Sequence, residues 1–124
     1  MKTSRPWLPS RFGPIAHLGR GDSALRAWFT DGVAGVIAEH GLPWHVQRLG
    51  CRAEYWFCPP PRDGAAAAAA VDEELDGFLH LWCLNRGVLL APFHNMALFS
   101  PHHTPADVDR HTEVFAEALA ALAG

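Results

Sequence analysis

The sequence predicts an α+β domain in which a small, largely antiparallel sheet is covered by helices. Apolar residues recur at three- and four-residue steps in three long segments, which indicates amphipathic helices. Short apolar runs lie in pairs between these segments and indicate strands. The resulting order is helix, strand, strand, helix, strand, strand, helix. It lacks the regular strand and helix alternation and the glycine-rich first turn of a dinucleotide-binding fold.

Length, charge and cysteine content set the broad class of the protein. The chain has 124 residues, an apolar fraction of 49% and a formal net charge of −3, which is enough for one domain with its own core. No basic cluster provides a footprint for nucleic acid, and no apolar run approaches the roughly 18 residues of a membrane span. The three cysteines have no disulfide-rich spacing and no signal peptide precedes them, so we expect reduced thiols in a cytoplasmic protein.

The N-terminal segment, residues 1–21, is basic, contains proline and glycine, and shows neither helical nor alternating periodicity. This pattern predicts an irregular tail. The folded domain is expected to occupy residues 22–124.

The first predicted helix begins with Asp22 or Ser23 as its N-cap and ends at Gly41. Gly32 and Gly35 lie inside it, and the sequence leaves open whether they permit close packing or only weaken the helix. Its apolar face consists of Leu25, Trp28, Phe29, Val33, Val36, Ile37 and His40.

A hairpin and a second long helix follow. Residues 44–58 are rich in β-branched and aromatic side chains around Gly50, which predicts two strands or one bent hairpin. Three prolines then end the sheet, and six alanines at 65–70 predict a loosely held lead-in to a helix from about Asp72 to Arg86. The buried face of that helix is expected to hold Leu75, Phe78, Leu79 and Trp82.

The C-terminal third begins with Gly87, which is predicted to end the second helix in a left-handed conformation. Val88–Ala91 and Met96–Phe99 are predicted to be two short strands that pair with the hairpin in one sheet. The last helix has Thr104 as its N-cap and Pro105 at its first position. Its buried stripe is expected to contain Val108, His111, Phe115, Ala118, Leu119 and Leu122.

Eight histidines and three cysteines prompt a search for a metal site. The nearest groupings are His80 with Cys83, and His102, His103 and His111. A structural zinc site uses two close-spaced ligand pairs, which this chain lacks, so we expect no metal and histidines that are hydrogen-bonded or exposed. The sequence also has no G-x-S-x-G elbow and no phosphate-cradling glycine loop, so no motif by itself indicates an enzyme.

Three segments together carry a resemblance to a known family: GLPWHVQRLGCRAEYWF, LDGFLHLWCLNRG and RGVLLAPFHNMALFSPHHTPADVDRHTEVFAEAL. They resemble the C-terminal small domain of class III, pyridoxal-phosphate (PLP)-dependent aminotransferases, nearest to the branch that includes glutamate-1-semialdehyde aminomutase. The most specific features are the G-V-x-L-A-P strand at Gly87–Pro92 and the H-T-x-x-D-V-D helix entry at His103–Asp109. The resemblance extends from about Trp28 to the C-terminus and implies the fold of the C-terminal domain of fold-type I PLP enzymes.

The resemblance also implies a place for a substrate site. In this family the small domain packs beside a large cofactor domain and shapes the substrate side, so a large aminotransferase domain or a homo-oligomer is the expected partner. The matching substrate-side loop consists of Pro92, Phe93, His94, Asn95 and Met96. In the aminomutases this loop resembles S-Q-F-E, and its glutamate falls on Met96 here. This departure favours a less specified transaminase relative.

The cofactor groups of the family are kept in the large domain, namely a lysine, an acidic partner for the pyridine nitrogen and a phosphate cup. The only lysine in this chain is Lys2. We therefore expect no cofactor and no catalytic residue here, and a truncated or detached domain that is inactive alone. The alternative is a small protein-interaction module that has kept the fold.

Overall fold

The computed structural model describes residues 15–91 and 95–124. Within these residues the strands form one antiparallel sheet in the order β1-β2-β3, so the predicted α+β class is confirmed. The elements in chain order are α1 (Ile15–Glu39), β1 (His45–Leu49), β2 (Arg52–Trp56), α2 (Gly64–Ala69), α3 (Glu73–Leu84), β3 (Met96–Leu98) and α4 (Pro105–Ala123).

The predicted hairpin around Gly50 is present. Leu49 pairs with Arg52, so a two-residue turn connects β1 to β2. Gly50 occupies the first turn position with φ of 60°, a left-handed conformation that glycine adopts without the cost of a Cβ. The turn fixes the register of both strands and with it which side chains face the helices.

The two faces of the sheet have different surroundings. On one face Ala53, Tyr55 and Ala97 are buried, and α1 packs against β1 and β2. On the other face Leu49 and Leu98 flank Arg52 and remain 68% and 57% exposed. We call this second surface the outer sheet face, and its members are Gln47, Leu49, Arg52, Glu54, Met96 and Leu98.

The centre of the core is an aromatic cluster formed by Phe29 of α1, Tyr55 of β2, and His111 and Phe115 of α4. The ring centroids of Phe29 and His111 are 4.6 Å apart, and those of Tyr55 and Phe115 are 4.7 Å apart. All four residues are at most 4% exposed. The cluster therefore joins both long helices to the sheet through tilted and stacked ring contacts.

The start of α4 follows the predicted pattern. The Thr104 hydroxyl accepts from the Asp107 backbone N–H at 3.3 Å, and the Asp107 carboxylate accepts from the Thr104 N–H at 2.8 Å. Pro105 occupies the first turn, where its missing N–H leaves no donor unpaired. This reciprocal capping box satisfies two amide groups that the helix itself cannot pair.

The end of α3 shows why one predicted strand is absent. Gly87 has φ of 84°, and the Val88 N–H donates to the Cys83 carbonyl at 2.9 Å in a Schellman-type cap. The predicted strand Val88–Ala91 is wrong, because Val88 caps the helix, Leu90 enters the core and only Ala91 forms a bridge. The predicted strand at Met96–Phe99 is confirmed as β3, which pairs with β2.

The first helix is longer than predicted. Because α1 begins at Ile15, Asp22 and Ser23 lie inside it rather than at its start. The predicted irregular tail is therefore wrong for residues 15–21, while residues 1–14 lie outside the described residues. Residues 15–21 lack a clear apolar period and include two glycines, but a glycine inside a helix costs only about 1 kcal/mol, so α1 extends through them. The division into a tail and a domain stays a prediction.

The predicted helix stripes are largely buried, with two errors. Trp28 and Leu122 are each 48% exposed, so neither belongs to the buried face. Trp28 instead donates its indole N–H to the Asp109 carboxylate at 2.9 Å, which links α1 to α4 at the surface. Val114 and Cys83 are fully buried although neither was predicted to be in the core.

The alanine run forms the short helix α2, which has no buried residue. Asp63 caps it by accepting from the Ala66 N–H at 2.8 Å. The predicted loosely held lead-in is thus a capped turn and a half of helix that leads into α3.

Gly32 and Gly35 provide a matched pair for testing helix packing. A Cβ added to Gly32 would lie 2.9 Å from Thr112 Oγ1, whereas one added to Gly35 meets nothing within 4 Å. We expect Gly32→Ala to destabilise the fold by roughly 1 kcal/mol net, because overpacking outweighs the gain in helix propensity. Gly35→Ala should stabilise it by about 0.5–1 kcal/mol. Urea unfolding of both variants measures these changes, and equal shifts of the same sign would contradict the close contact.

Phe115 and Glu117 test the predicted stripe of α4. Phe115 is fully buried in the aromatic cluster, so Phe115→Ala should cost roughly 3–5 kcal/mol through lost transfer energy and a cavity. The Glu117 side chain is 59% exposed and 3.8 Å from Arg86 Nε, and Glu117→Ala should cost less than about 1 kcal/mol. The measurement is the denaturant midpoint, and similar midpoints for both variants would show that the buried face is misassigned.

Candidate functional site

The predicted substrate-side loop leaves the sheet at Ala91 and returns at Met96. These two residues form an antiparallel bridge in which the Ala91 N–H donates to the Met96 carbonyl at 3.0 Å. The bridge closes a short loop at the sheet edge. Pro92, Phe93 and His94 of the predicted site lie outside the described residues, so the structure locates Asn95 and Met96 of the five.

Asn95 anchors the returning end of this loop. It is 1% exposed and has φ of 49°, a left-handed conformation that asparagine tolerates better than most residues. Its side-chain N–H group donates to the Asp76 backbone carbonyl at 3.0 Å and to the Asp76 carboxylate at 3.3 Å. These bonds tie the loop to the first turn of α3.

Met96 lies on the outer sheet face, where it pairs with Glu54 of β2. It is partly exposed, and its thioether can neither donate a proton nor carry a charge. Position 96, which the predicted resemblance matches to a glutamate, is therefore a soft, apolar contact in this chain.

The described residues do not fit a PLP site. A phosphate is usually held by free N–H groups at a helix N-terminus, but Thr104 and Asp107 already satisfy that end of α4. At the start of α3, the capping residue Asp72 is followed by three further carboxylates in the first turn, which repel an anion. The only lysine, Lys2, lies outside the described residues.

The described residues contain neither a metal site nor a membrane-spanning helix. No group of three or more histidine, cysteine, aspartate or glutamate side chains there is placed to hold a metal ion. Among the same residues, every helix is too short or too polar to cross a membrane.

His111 is the histidine whose surroundings differ most from expectation. It is 4% exposed, and neither ring nitrogen has a hydrogen-bond partner. Burial lowers its pKa from 6.5 to about 4, so the ring is neutral near pH 7. The prediction of hydrogen-bonded or exposed histidines is wrong here, because the aromatic cluster uses the flat ring of His111 as a packing surface.

Two further titratable groups are buried here, namely Tyr55 within the cluster and Cys83 beside Tyr55. Burial raises the pKa of the Cys83 thiol to about 11, which keeps the sulfur protonated and poorly nucleophilic near pH 7. Burial, with the neighbouring Cys83 and Asp76, raises the pKa of Tyr55 well above its ordinary value. No hydrogen bond of normal geometry joins the Tyr55 hydroxyl to another group. These groups are therefore structural at neutral pH.

Comparisons with known proteins agree with this fold. No family model matches the chain. The chain is 36% identical over 100 residues to glutamate-1-semialdehyde 2,1-aminomutase of Thermomicrobium roseum, a match that covers 80% of this chain and 23% of that protein. The aminomutase of Desulfitobacterium hafniense is 31% identical over 97 residues, or 77% of this chain and 23% of the relative.

Solved structures give the decisive match. A glutamate-1-semialdehyde aminomutase from Pseudomonas aeruginosa, solved in complex with PMP, superimposes with a TM-score of 0.81 and 43% identity over 83% of this chain. The chain corresponds to the C-terminal small domain of class III, PLP-dependent aminotransferases. A β-phenylalanine aminotransferase from Variovorax paradoxus matches this small domain with a TM-score of 0.71 and 25% identity, over 94% of the chain.

The small domain spans about a quarter of the proteins it matches, namely 23% of the Pseudomonas aminomutase and 26% of the Variovorax enzyme. An ω-transaminase from Sphaerobacter thermophilus, at 23% identity and a TM-score of 0.69, shares the fold. The predicted family resemblance and the fold of fold-type I PLP enzymes are thus confirmed.

Two features of the site region were missed by sequence reasoning. The bonds from Asn95 to Asp76 join residues 19 positions apart, and no local pattern predicts such a pairing. A weak signal existed, because asparagine between a turn and a strand is a common left-handed residue. No sequence pattern indicated that the ring of His111 lacks hydrogen-bond partners, since a hydrogen-bonded histidine fits the same place in the apolar stripe.

His111 predicts a loss of stability in acid. Its pKa is about 4 in the folded protein and 6.5 when unfolded, so the unfolded state binds the proton more readily. The stability that the neutral His111 ring gives the folded state is fully present above pH 6.5 and is lost as the pH falls toward 4. At pH 4.5 the loss amounts to roughly 2–3 kcal/mol. His111→Phe should flatten this part of the profile in urea unfolding between pH 7 and pH 4.5. An unchanged slope in the variant would assign the acid sensitivity to other groups.

Proposed function

We propose that this small domain works in a PLP-dependent aminotransferase, beside a large domain that supplies the cofactor. The observation that carries the proposal is the 43% identity and TM-score of 0.81 to an aminomutase solved with PMP. The chain spans 23% of that enzyme, and its described residues do not fit PLP. We therefore assign the cofactor chemistry to the large domain and the shaping of the substrate side to the small domain. The three free thiols favour a reducing compartment such as the cytoplasm.

The outer sheet face is the surface we assign to the large domain. Leu49 and Leu98 are large apolar side chains left exposed on either side of Arg52. Burying them against a second domain removes apolar surface from water at about 25 cal/mol per Å². Met96 lies on the same face. This residue, which the resemblance matches to a family glutamate, would therefore face the large domain and the substrate bound there.

The substrate-side loop is assigned to Pro92, Phe93, His94, Asn95 and Met96. Two described contacts support a fixed position for its ends. The Ala91 to Met96 bridge holds the ends together, and Asn95 is bound to Asp76 of α3. A loop held in this way can present side chains at a constant distance from a neighbouring domain.

By itself the 124-residue chain should neither bind PLP at a specific site nor transaminate. A specific lysine adduct needs a deprotonated amine, an acid at the pyridine nitrogen and donors around the phosphate, and Lys2 is the only lysine. The measurement is titration with PLP, borohydride reduction and mapping of the modified residue. A band that survives Lys2→Ala would come from the N-terminal amine. A saturable adduct at Lys2 with amine transfer to a keto acid would overturn the proposal.

A chimera tests the function directly. The matching segment of the Pseudomonas aminomutase is replaced by residues 24–124 of this chain. The chimera should bind stoichiometric PLP, seen as an absorbance band of the bound cofactor, and an amine donor should convert that cofactor to PMP. A folded chimera without bound PLP would contradict the aminotransferase assignment and favour an interaction module that has kept the fold.

Two leucines provide a matched control for the surface. Leu49→Asp places a charge on the outer sheet face, and Leu122→Asp places one on the exposed side of α4. In the chimera Leu49→Asp should lower the thermal midpoint and the PLP occupancy, while Leu122→Asp should change neither. Both should leave the isolated chain folded. Equal effects of the two substitutions would show that the outer sheet face is not the contact surface.

A further inference from the structure

The outer sheet face consists of two rows of three side chains that cross the sheet. The strand register places Leu49, Arg52 and Leu98 in the first row, and Gln47, Glu54 and Met96 in the second. Five of these six side chains, all except Leu98, line a shallow depression of about 260 Å³. Each row therefore has one charged side chain at its centre and an uncharged side chain on either side.

The first row determines what kind of partner can cover this face. Leu49 and Leu98 are more than half exposed, and Arg52 lies exposed between them. No ion pair joins Arg52 to an acidic side chain of the described residues. A surface that covers the two leucines must also cover Arg52, and burying a guanidinium without a counter-charge is costly. The partner must therefore present an acidic group opposite Arg52.

The second row contains such a group, because Glu54 follows Arg52 by two residues on β2 and lies on the same face. Glu54 already interacts within the domain, but a carboxylate has lone pairs for more than one donor. A two-fold axis that crosses the strands at the level of Ala53 exchanges the two rows. Arg52 of each copy then lies opposite Glu54 of the other. A second copy of this chain thus supplies the required acid.

The charges also select one arrangement of the two copies. The exchange of rows places Leu98 against Met96 of the second copy, which is an apolar contact. An axis parallel to the strands would instead place Arg52 against Arg52 and Glu54 against Glu54. Opposed like charges are unfavourable at an interface. The face is therefore self-complementary only when the strands of the two copies run in opposite directions.

We propose that the 124-residue chain, when no large domain covers its outer sheet face, forms a two-fold symmetric dimer through this face. Arg52 of each copy binds Glu54 of the other, and Leu49 and Leu98 are covered. Such an interface is isologous, so the same residues serve both copies. The proposal goes beyond the aminotransferase assignment and does not rest on it, because it concerns the chain alone.

The size of the face sets the strength of the dimer. Three strands of about five residues cover roughly 250 Å² in projection. Stable interfaces bury about 800 Å² per partner, so we expect a weak dimer with a dissociation constant on the order of 100 µM. A covalently linked large domain has an effective concentration on the order of 1 mM and would displace the second copy.

The test is sedimentation equilibrium of the 124-residue chain from about 5 to about 500 µM, a range that brackets the expected constant. Arg52→Glu should weaken the dimer at least tenfold, because it places a carboxylate opposite Glu54 of the second copy. Arg48→Glu is the matched control. Arg48 is an exposed arginine of the same hairpin, but it pairs with the buried Ala53 and lies on the opposite side of the sheet. Both substitutions change the net charge equally, and Arg48→Glu should change the constant less than twofold.

An exchange of charges tests the pairing itself. The double variant Arg52→Glu with Glu54→Arg carries the same two charges in exchanged places, and it should restore the dissociation constant to within about threefold. Thermal unfolding checks that the variant is folded. If Glu54→Arg does not fold, the comparison of Arg52→Glu with Arg48→Glu still decides, because both of those residues are exposed.

Three results would overturn the proposal. The first is a chain that stays monomeric up to about 500 µM, above the expected constant. The second is an equal weakening by Arg52→Glu and Arg48→Glu, which would place the interface elsewhere. The third is a folded double variant that is as weak as Arg52→Glu, which would show that Glu54 is not the counter-charge. None of these results bears on the aminotransferase assignment, which is tested by PLP bound to the chimera.

Discussion

The close packing of α1 against α4 is the contact on which the rest of the domain depends. Gly32 has no side chain, so Thr112 of α4 can approach the backbone of α1. This approach brings Phe29 to within 4.6 Å of the His111 ring, and Tyr55 then joins the sheet to the helix pair. Because α1 and α4 both lie on that side, the opposite face of the sheet keeps its leucines exposed. The open face is thus a consequence of the helix packing.

Sequence reasoning worked where a structure is determined by residues close in the chain. The capping box of Thr104, the turn at Gly50 and the left-handed stop at Gly87 each depend on bonds or angles within a few residues, and all three are present. Sequence reasoning failed where a residue's contact is distant in the chain. Trp28 has the spacing of a buried residue, but it is half exposed and donates to Asp109, which lies 81 positions away.

The site region was accessible to sequence only through family resemblance. Residue types at 92–96 suggest no chemistry on their own, and it was the surrounding pattern from Gly87 to Asp109 that gave them a place. What the resemblance could not provide is the physical support of the loop. The bonds from Asn95 to Asp76 use the first turn of α3 as a fixed point.

The outer sheet face and the buried ring of His111 differ in whether a docked domain could change them. The outer sheet face exposes apolar side chains over an open surface, which a second domain can cover with a gain that grows with area. His111 is enclosed by Phe29, Tyr55 and Phe115, so a flat protein surface cannot reach its nitrogens. An imidazole without partners costs free energy in any state of the domain, and docking of a large domain would not remove that cost. The cost of burying the His111 ring is therefore carried by the domain itself, whereas the exposure of Leu49 and Leu98 can be relieved by a partner.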